Sequence, residues 1–220
     1  MNKKDTVVFD LDGTLLDTLE DLKNSVNYAM TQCGYPEHTL DEVRRYVGNG
    51  ILLLMQRAIP GGKDDPNFDK AFTLFKEHYG KHCNDTTKPY AGIMELLHTL
   101  KENNIKIAIV SNKADFAVKE LNAIYFKDLI LVAIGEKESE GIRKKPAPDT
   151  VIEALKQLGS TAENSVYIGD SDVDIETARN SGRDEILCEW GFRGEEFLKQ
   201  HGAKIIIKKP DEILSLIGIE

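Results

Sequence analysis

Cysteine is scarce in this sequence and poorly placed for structural chemistry. Cys33, Cys83 and Cys188 are odd in number, far apart, and form no CxxC or Cys/His cluster. That pattern excludes a disulfide framework and a zinc site and fits a reducing compartment. No apolar run approaches the length of a membrane span, so no membrane partner is expected. The opening "MNKKDTVVFD" meets Asp10 after only a few apolar residues, too few for a signal peptide, and the cytoplasm is the expected location. Positive charge is also in short supply. With 28 Lys and Arg against 37 Asp and Glu, the net charge of −9 argues against a nucleic-acid or anionic-membrane partner. A small anionic substrate stays open, because one lysine and a bound metal can reverse the sign locally.

What is present is a regular alternation. Short apolar, β-rich runs recur at 6–10 (TVVFD), 105–111 (IKIAIVS), 129–134 (LILVAI), 165–170 (SVYIGD), 185–188 (EILC) and 204–208 (KIIIK). Most are continuous rather than alternating, as strands covered on both faces are. Between them lie amphipathic helices, with one stripe at Ile93, Leu96, Leu97 and Leu100 and another at Val151, Ile152, Leu155 and Leu158. Strands alternating with helices predict an α/β fold: a Rossmann-like, doubly wound parallel sheet with right-handed crossovers.

One region breaks the alternation. From Asp17 to Asn84 only helical patterning is found, with Phe68, Phe72, Phe75 and Tyr79 on one helical face. Glycine and proline punctuate it at "GYP" (34–36), "GNG" (48–50) and "PGGKDDP" (60–66). The expected organisation is a core of residues 1–16 and 85–220 with a helical domain, 17–84, inserted between the first and second strands.

Ligands of open parallel sheets bind beyond the carboxyl ends of the strands, so the informative residues are those where each apolar run stops. The first run stops at Asp10, Asp12 and Thr14, the second at Ser111 and Asn112, and a later one at Asp170, Asp172 and Asp174. Between them "RKKPAPD" (143–149) puts a basic pair ahead of a proline-led helix start. Two carboxylates leaving a buried strand repel each other and are costly to desolvate unless a cation meets them. Carboxylates that hold Mg²⁺, with a hydroxyl and an ammonium for phosphate oxygens, suit phosphoryl chemistry. The "DSDVDIE" stretch begins like a calcium loop but has Ile175 where glycine is needed and Ser181 where a glutamate is needed.

Taken in order, these pieces resemble the haloacid dehalogenase superfamily of aspartate-nucleophile phosphotransferases, over nearly the whole chain. Its DxDxT motif matches Asp10, Asp12 and Thr14, and its strand-closing Ser or Thr matches Ser111. Its KPxP lysine matches Lys145, and its GDxxxD motif matches Gly169, Asp170 and Asp174. The insertion resembles that family's helical cap. The resemblance implies Asp10 as nucleophile, Asp12 as general acid and base, and Thr14, Ser111, Asn112 and Lys145 around the phosphoryl group. It implies Mg²⁺ held by Asp10, Asp170 and the main-chain carbonyl of Asp12, with Asp174 supporting. "YVGNGI", "SNK" at 111–113 and "CEWGFRGEEFL" resemble phosphoglycolate phosphatases, so a small phosphorylated metabolite is the expected partner of a monomer or homodimer. Gly48 and Gly50, in a glycine turn that brings backbone N–H groups to a small anion, are candidate substrate contacts.

Other readings compete. Phosphatases of the same family acting on nucleotides, sugar phosphates or pyrophosphate share these motifs. Sugar-phosphate mutases tend to carry a histidine just after the first motif, and "LLDTLEDLKN" has none. Receiver domains of signalling proteins also gather acids, a hydroxyl and a lysine, but lack a long helical insertion and an acidic strand end after the lysine.

Overall fold

The computed structural model describes residues 3–219. In its first part the chain forms β1 (Thr6–Phe9), β2 (Leu16–Asp17), α1 (Leu19–Gln32), α2 (Leu40–Tyr46), α3 (Ile51–Ala58), α4 (Phe68–His82) and β3 (Lys88–Pro89). Next come α5 (Ile93–Glu102), β4 (Lys106–Ala114), α6 (Asp115–Tyr125), β5 (Val132–Glu136) and α7 (Asp149–Leu158). The chain closes with β6 (Ser165–Gly169), α8 (Asp172–Ser181), β7 (Asp184–Cys188), α9 (Glu195–Gln200), β8 (Ile206–Ile207) and α10 (Glu212–Leu216). None of the described helices is long and apolar enough to cross a membrane.

Six strands form one parallel sheet in the order β5-β4-β1-β6-β7-β8, and β2 and β3 pair in a sheet of their own. This is the doubly wound α/β architecture the alternation predicts. Continuous apolar strands follow from cover on both faces. Val7 and Phe9 pack on one side with Ile107, Ile109 and Ile168, while Val8 packs on the other with Ala108, Val110 and Tyr167.

The chain divides into two compact units, one of Met1–Leu16 with Pro89–Glu220 and one of Asp17–Lys88. Within the second, α1 packs on α4 and α2, and α4 buries Phe68, Ala71, Phe75 and Tyr79. Phe72 is only half-buried; Ala71 takes the inward place instead. Residues 85–88 stay with the helical unit because Thr86 and Thr87 both donate, from backbone and hydroxyl, to the buried carboxylate of Asp21.

Three other expectations shift. Leu129–Leu131 precede β5 rather than opening it. The N–H groups of Leu129 and Ile130 both donate to the Phe126 carbonyl, and Leu131 stands in solvent. In α7 the buried stripe is Val151, Ala154 and Leu155, while Ile152, about 100° around from Val151, is exposed. Finally β4 does not stop at Ser111. It runs through a shift of register to Ala114, because Ser111, Asn112 and Lys113 are themselves buried.

Candidate active site

The acids emerge where the strand order reverses. Successive strands move outward from β1 through β4 to β5, and the chain then returns to place β6 on the other side of β1. Asp10 follows β1 and Asp170 follows β6, so both stand at the crevice where such sheets bind ligands. The Asp10 N–H continues the ladder to the Ile168 carbonyl at 2.8 Å. The chain then folds tightly, with the N–H groups of Thr14, Leu15 and Leu16 all directed at the Leu11 carbonyl and Gly13 at φ 85°.

Asp10, Asp170 and Asp174 each bring a carboxylate oxygen to within 4.8 Å of the others, and all three are buried. Asp10 Oδ1 accepts from the Leu11 N–H (2.7 Å) and pairs with Lys145 Nζ (2.9 Å), while its Oδ2 accepts nothing among the described residues. Asp170 accepts from the Phe192 N–H at 2.7 Å and the Thr14 hydroxyl at 3.2 Å. Asp174 is fully committed. Its Oδ1 takes Lys145 Nζ (2.8 Å) and the Tyr167 hydroxyl (2.9 Å), and its Oδ2 takes the Ser171 hydroxyl (2.6 Å).

The protonation equilibria follow from these surroundings. Burial pushes the Asp10 carboxyl up to about 7 despite the attraction of Lys145. Burial and the neighbouring Asp174 raise Asp170 well above the usual carboxylate range. Burial also acts on Asp174, but Lys145, Ser171 and Tyr167 hold it below its ordinary value. Lys145 stays an ammonium: against the cost of burial, Asp10 and Asp174 hold its pKa well above the ordinary value. One ammonium thus faces three carboxylates, an excess of negative charge made of hard oxygen donors. A divalent cation such as Mg²⁺ fits that donor set.

Lys145 and Lys144 part company. Lys145 is buried on Asp10, Asp174 and Tyr167, whereas Lys144 lies at the surface beside Glu138. Ser111 is buried in β4, and its hydroxyl accepts the Lys113 N–H at 3.3 Å. Two expected phosphate contacts also make hydrogen bonds within the protein. The Thr14 side chain is fully buried and steadies Asp170, and the Asn112 amide donates to the Lys145 carbonyl at 3.0 Å, tying strand to lysine loop. Asp12 is partly exposed and pairs with Lys113, Nζ to Oδ1 at 2.9 Å. Gly48 and Gly50 belong to the helical unit, both with positive φ (112° and 88°).

Several contributors lie outside the strand-end motifs. Tyr167 reads as one more apolar strand residue, yet its hydroxyl joins Lys145 to Asp174. The loop after β7 supplies the Phe192 N–H to Asp170 and the Trp190 indole to the Thr14 carbonyl (3.1 Å). Glycine makes room for all of this. A Cβ on Gly13 would stand 2.4 Å from Asp170 Oδ2, on Gly169 2.3 Å from the Asp174 Cβ, and on Gly191 2.2 Å from the Asp170 Cβ.

Comparison with known proteins agrees with this geometry. The family model described as "Haloacid dehalogenase-like hydrolase" matches residues 7–187. The chain is 33% identical over 190 residues to a phosphoglycolate phosphatase of Aquifex aeolicus, covering 84% of this chain and 85% of that protein. It is 31% identical over 221 residues to a phosphoglycolate phosphatase of Colwellia psychrerythraea, covering 97% of each. A crystal structure from Lactobacillus delbrueckii subsp. bulgaricus superposes with a TM-score of 0.90 at 36% identity, over 98% of both chains. By its family match, its relatives and the acids and lysine at one sheet edge, the chain belongs to the haloacid dehalogenase-like hydrolases, among their phosphatases.

Proposed function

We propose that this phosphatase hydrolyses a small phosphorylated acid such as phosphoglycolate through an aspartyl-phosphate on Asp10, with Mg²⁺ as cofactor. The observation that carries the reading is the state of Asp10: one oxygen is tied to Lys145 and Leu11, and the other accepts nothing among the described residues. That is the arrangement of a carboxylate nucleophile.

In this reading Asp10 Oδ2 attacks phosphorus while the bond from phosphorus to the alcohol oxygen breaks, and Asp12 gives its proton to that oxygen. Asp12 then takes a proton from water as the water oxygen attacks phosphorus. The bond to Asp10 breaks, inorganic phosphate leaves, and Asp12 is protonated again. The Ser111 hydroxyl and the main chain of Asn112 hold phosphoryl oxygens, and Lys145 holds Asp10 in place. Asp10, Asp170 and the Asp12 carbonyl would hold Mg²⁺, with Asp174 behind them. When bound, the cation neutralises charge on the transferring phosphoryl group. For the helical unit we assign a share in admitting the alcohol, by its size, with Gly48 and Gly50 as the residues concerned. Both occupy a positive-φ turn where side chains are disfavoured.

The identity of the relatives supports the substrate class, and a panel of phosphomonoesters tests it. Released phosphate should be greatest with small phosphorylated acids and lower with nucleotides and bulky sugar phosphates, and EDTA should abolish it. A preference for nucleotides, or full activity in EDTA, would defeat the reading.

A further inference from the structure

We infer that Lys113 selects the alcohol, favouring phosphomonoesters that carry a carboxylate on the carbon bearing the ester oxygen. The inference rests on the phosphatase reading above and adds to it the residue and the charge that choose the substrate.

Lys113 lies at the far end of β4, past the residue that closes the family motif, and is as deeply buried as Ser111 and Lys145. A lysine is seldom buried without a compensating role, and a buried ion pair is weak evidence for stability. Lys113 and Lys145 divide the site between them. Lys145 stands on Asp10, which attacks phosphorus, and Lys113 stands 2.9 Å from Asp12, which serves the ester oxygen. Lys113 is therefore the cation of the leaving-group side.

Distance then decides which alcohols benefit. Asp12 reaches the ester oxygen across one hydrogen bond of about 2.7 Å. A carboxylate one carbon from that oxygen lies about 3 Å further on. An ammonium already in contact with the Asp12 carboxyl meets such a carboxylate directly or through one water. A neutral alcohol of the same size offers Lys113 nothing.

Ethyl phosphate has the two-carbon alcohol of phosphoglycolate with a methyl in place of the carboxylate, so the pair isolates this contact. Wild-type enzyme should favour phosphoglycolate in kcat/KM by at least about tenfold. Lys113→Met should cost about 100-fold on phosphoglycolate, chiefly in KM, and less than about tenfold on ethyl phosphate. Lys113→Arg should restore most of the preference. Product inhibition tests the same contact without any variant: glycolate should inhibit the wild type competitively, and its neutral analogue glycolamide should not. Parallel losses on both esters, equal use of both esters by wild type, or equal inhibition by the two alcohols would each overturn the inference and leave the phosphatase intact. Turnover of neither ester would overturn the phosphatase reading, and this inference with it.

Discussion

The helical unit and the α/β unit each bury an aspartate, and they surround it in opposite ways. Asp21, at the start of α1, receives the backbone N–H and hydroxyl of Thr86 and of Thr87, with contacts on both oxygens between 2.7 and 3.1 Å. Neutral donors saturate it, and it fastens the beginning of the unit to its end. Among the described residues Asp10 has donors on one oxygen only, and two further buried carboxylates crowd it. A buried carboxylate given every donor it can use is a fastening. One left short of donors among like charges awaits a ligand. Burial alone does not separate the two; the count and sign of neighbours does.

The largest effect that would break this contrast is expected at Asp10. Asp10→Asn keeps the shape but removes the nucleophilic anion, so phosphate release should fall by more than about 10³-fold. The melting temperature should hold or rise, because a charge leaves a crowded cluster. A variant with near wild-type turnover would show that Asp10 is no nucleophile. Asp21→Asn should do the reverse. It sets an amide N–H against donors, and a loss of about 2–3 kcal/mol in stability is expected, or roughly 5–10 °C in Tm. Turnover per folded molecule should change little. A melt unmoved by this substitution would mean that the saturated carboxylate fastens nothing.

The smallest effect is a pH dependence. The Asp10 carboxyl titrates near 7 in the folded protein, whereas an unfolded aspartate does so near pH 4. The folded form holds the proton more tightly between those values, so the stability Asp10 contributes is complete below pH 4 and is lost as pH rises through 7. Asp170 acts in the same direction, and Asp174, held low, in the other. In EDTA the melting temperature should therefore decline by a few degrees from pH 5 to pH 8. Added Mg²⁺ should raise it more at pH 8 than at pH 5. Equal gains at both pH values would mean that the cation does not meet these carboxylates.

Much of this was legible from residues at strand ends. Asp10, Ser111, Lys145 and Asp170 interrupt or follow apolar runs, and a proline directly after Lys145 separates it from Lys144. The geometry brings Asp10, Lys145 and Asp170 together, and Ser111 is buried in β4, which pairs with β1. What stayed hidden is what one-dimensional patterning cannot encode. Tyr167 looks apolar because its ring is; only the fold shows where its hydroxyl goes. Lys113 shows in the sequence only as the last residue of "SNK", since nothing local says that β4 continues through it. Thr14 and Asn112 carry the polar groups the motifs require, and only the fold shows that they also bond Asp170 and the Lys145 carbonyl. Asp21 finds its partners 65 and 66 residues away, beyond the reach of any local window.

The three glycines beneath the acids bear on any attempt to move this chemistry elsewhere. Gly13, Gly169 and Gly191 come from three separate segments, and each presses bare backbone against Asp170 or Asp174 closely enough that a methyl group would overlap it. A designer who copied only the aspartates and the lysine onto another parallel sheet would reproduce the ingredients at the wrong spacing. Ordinary side chains in those three places would push the carboxylates apart. The portable unit is a mould as well as a set of functional groups, and the mould is made of residues that have no functional group to offer.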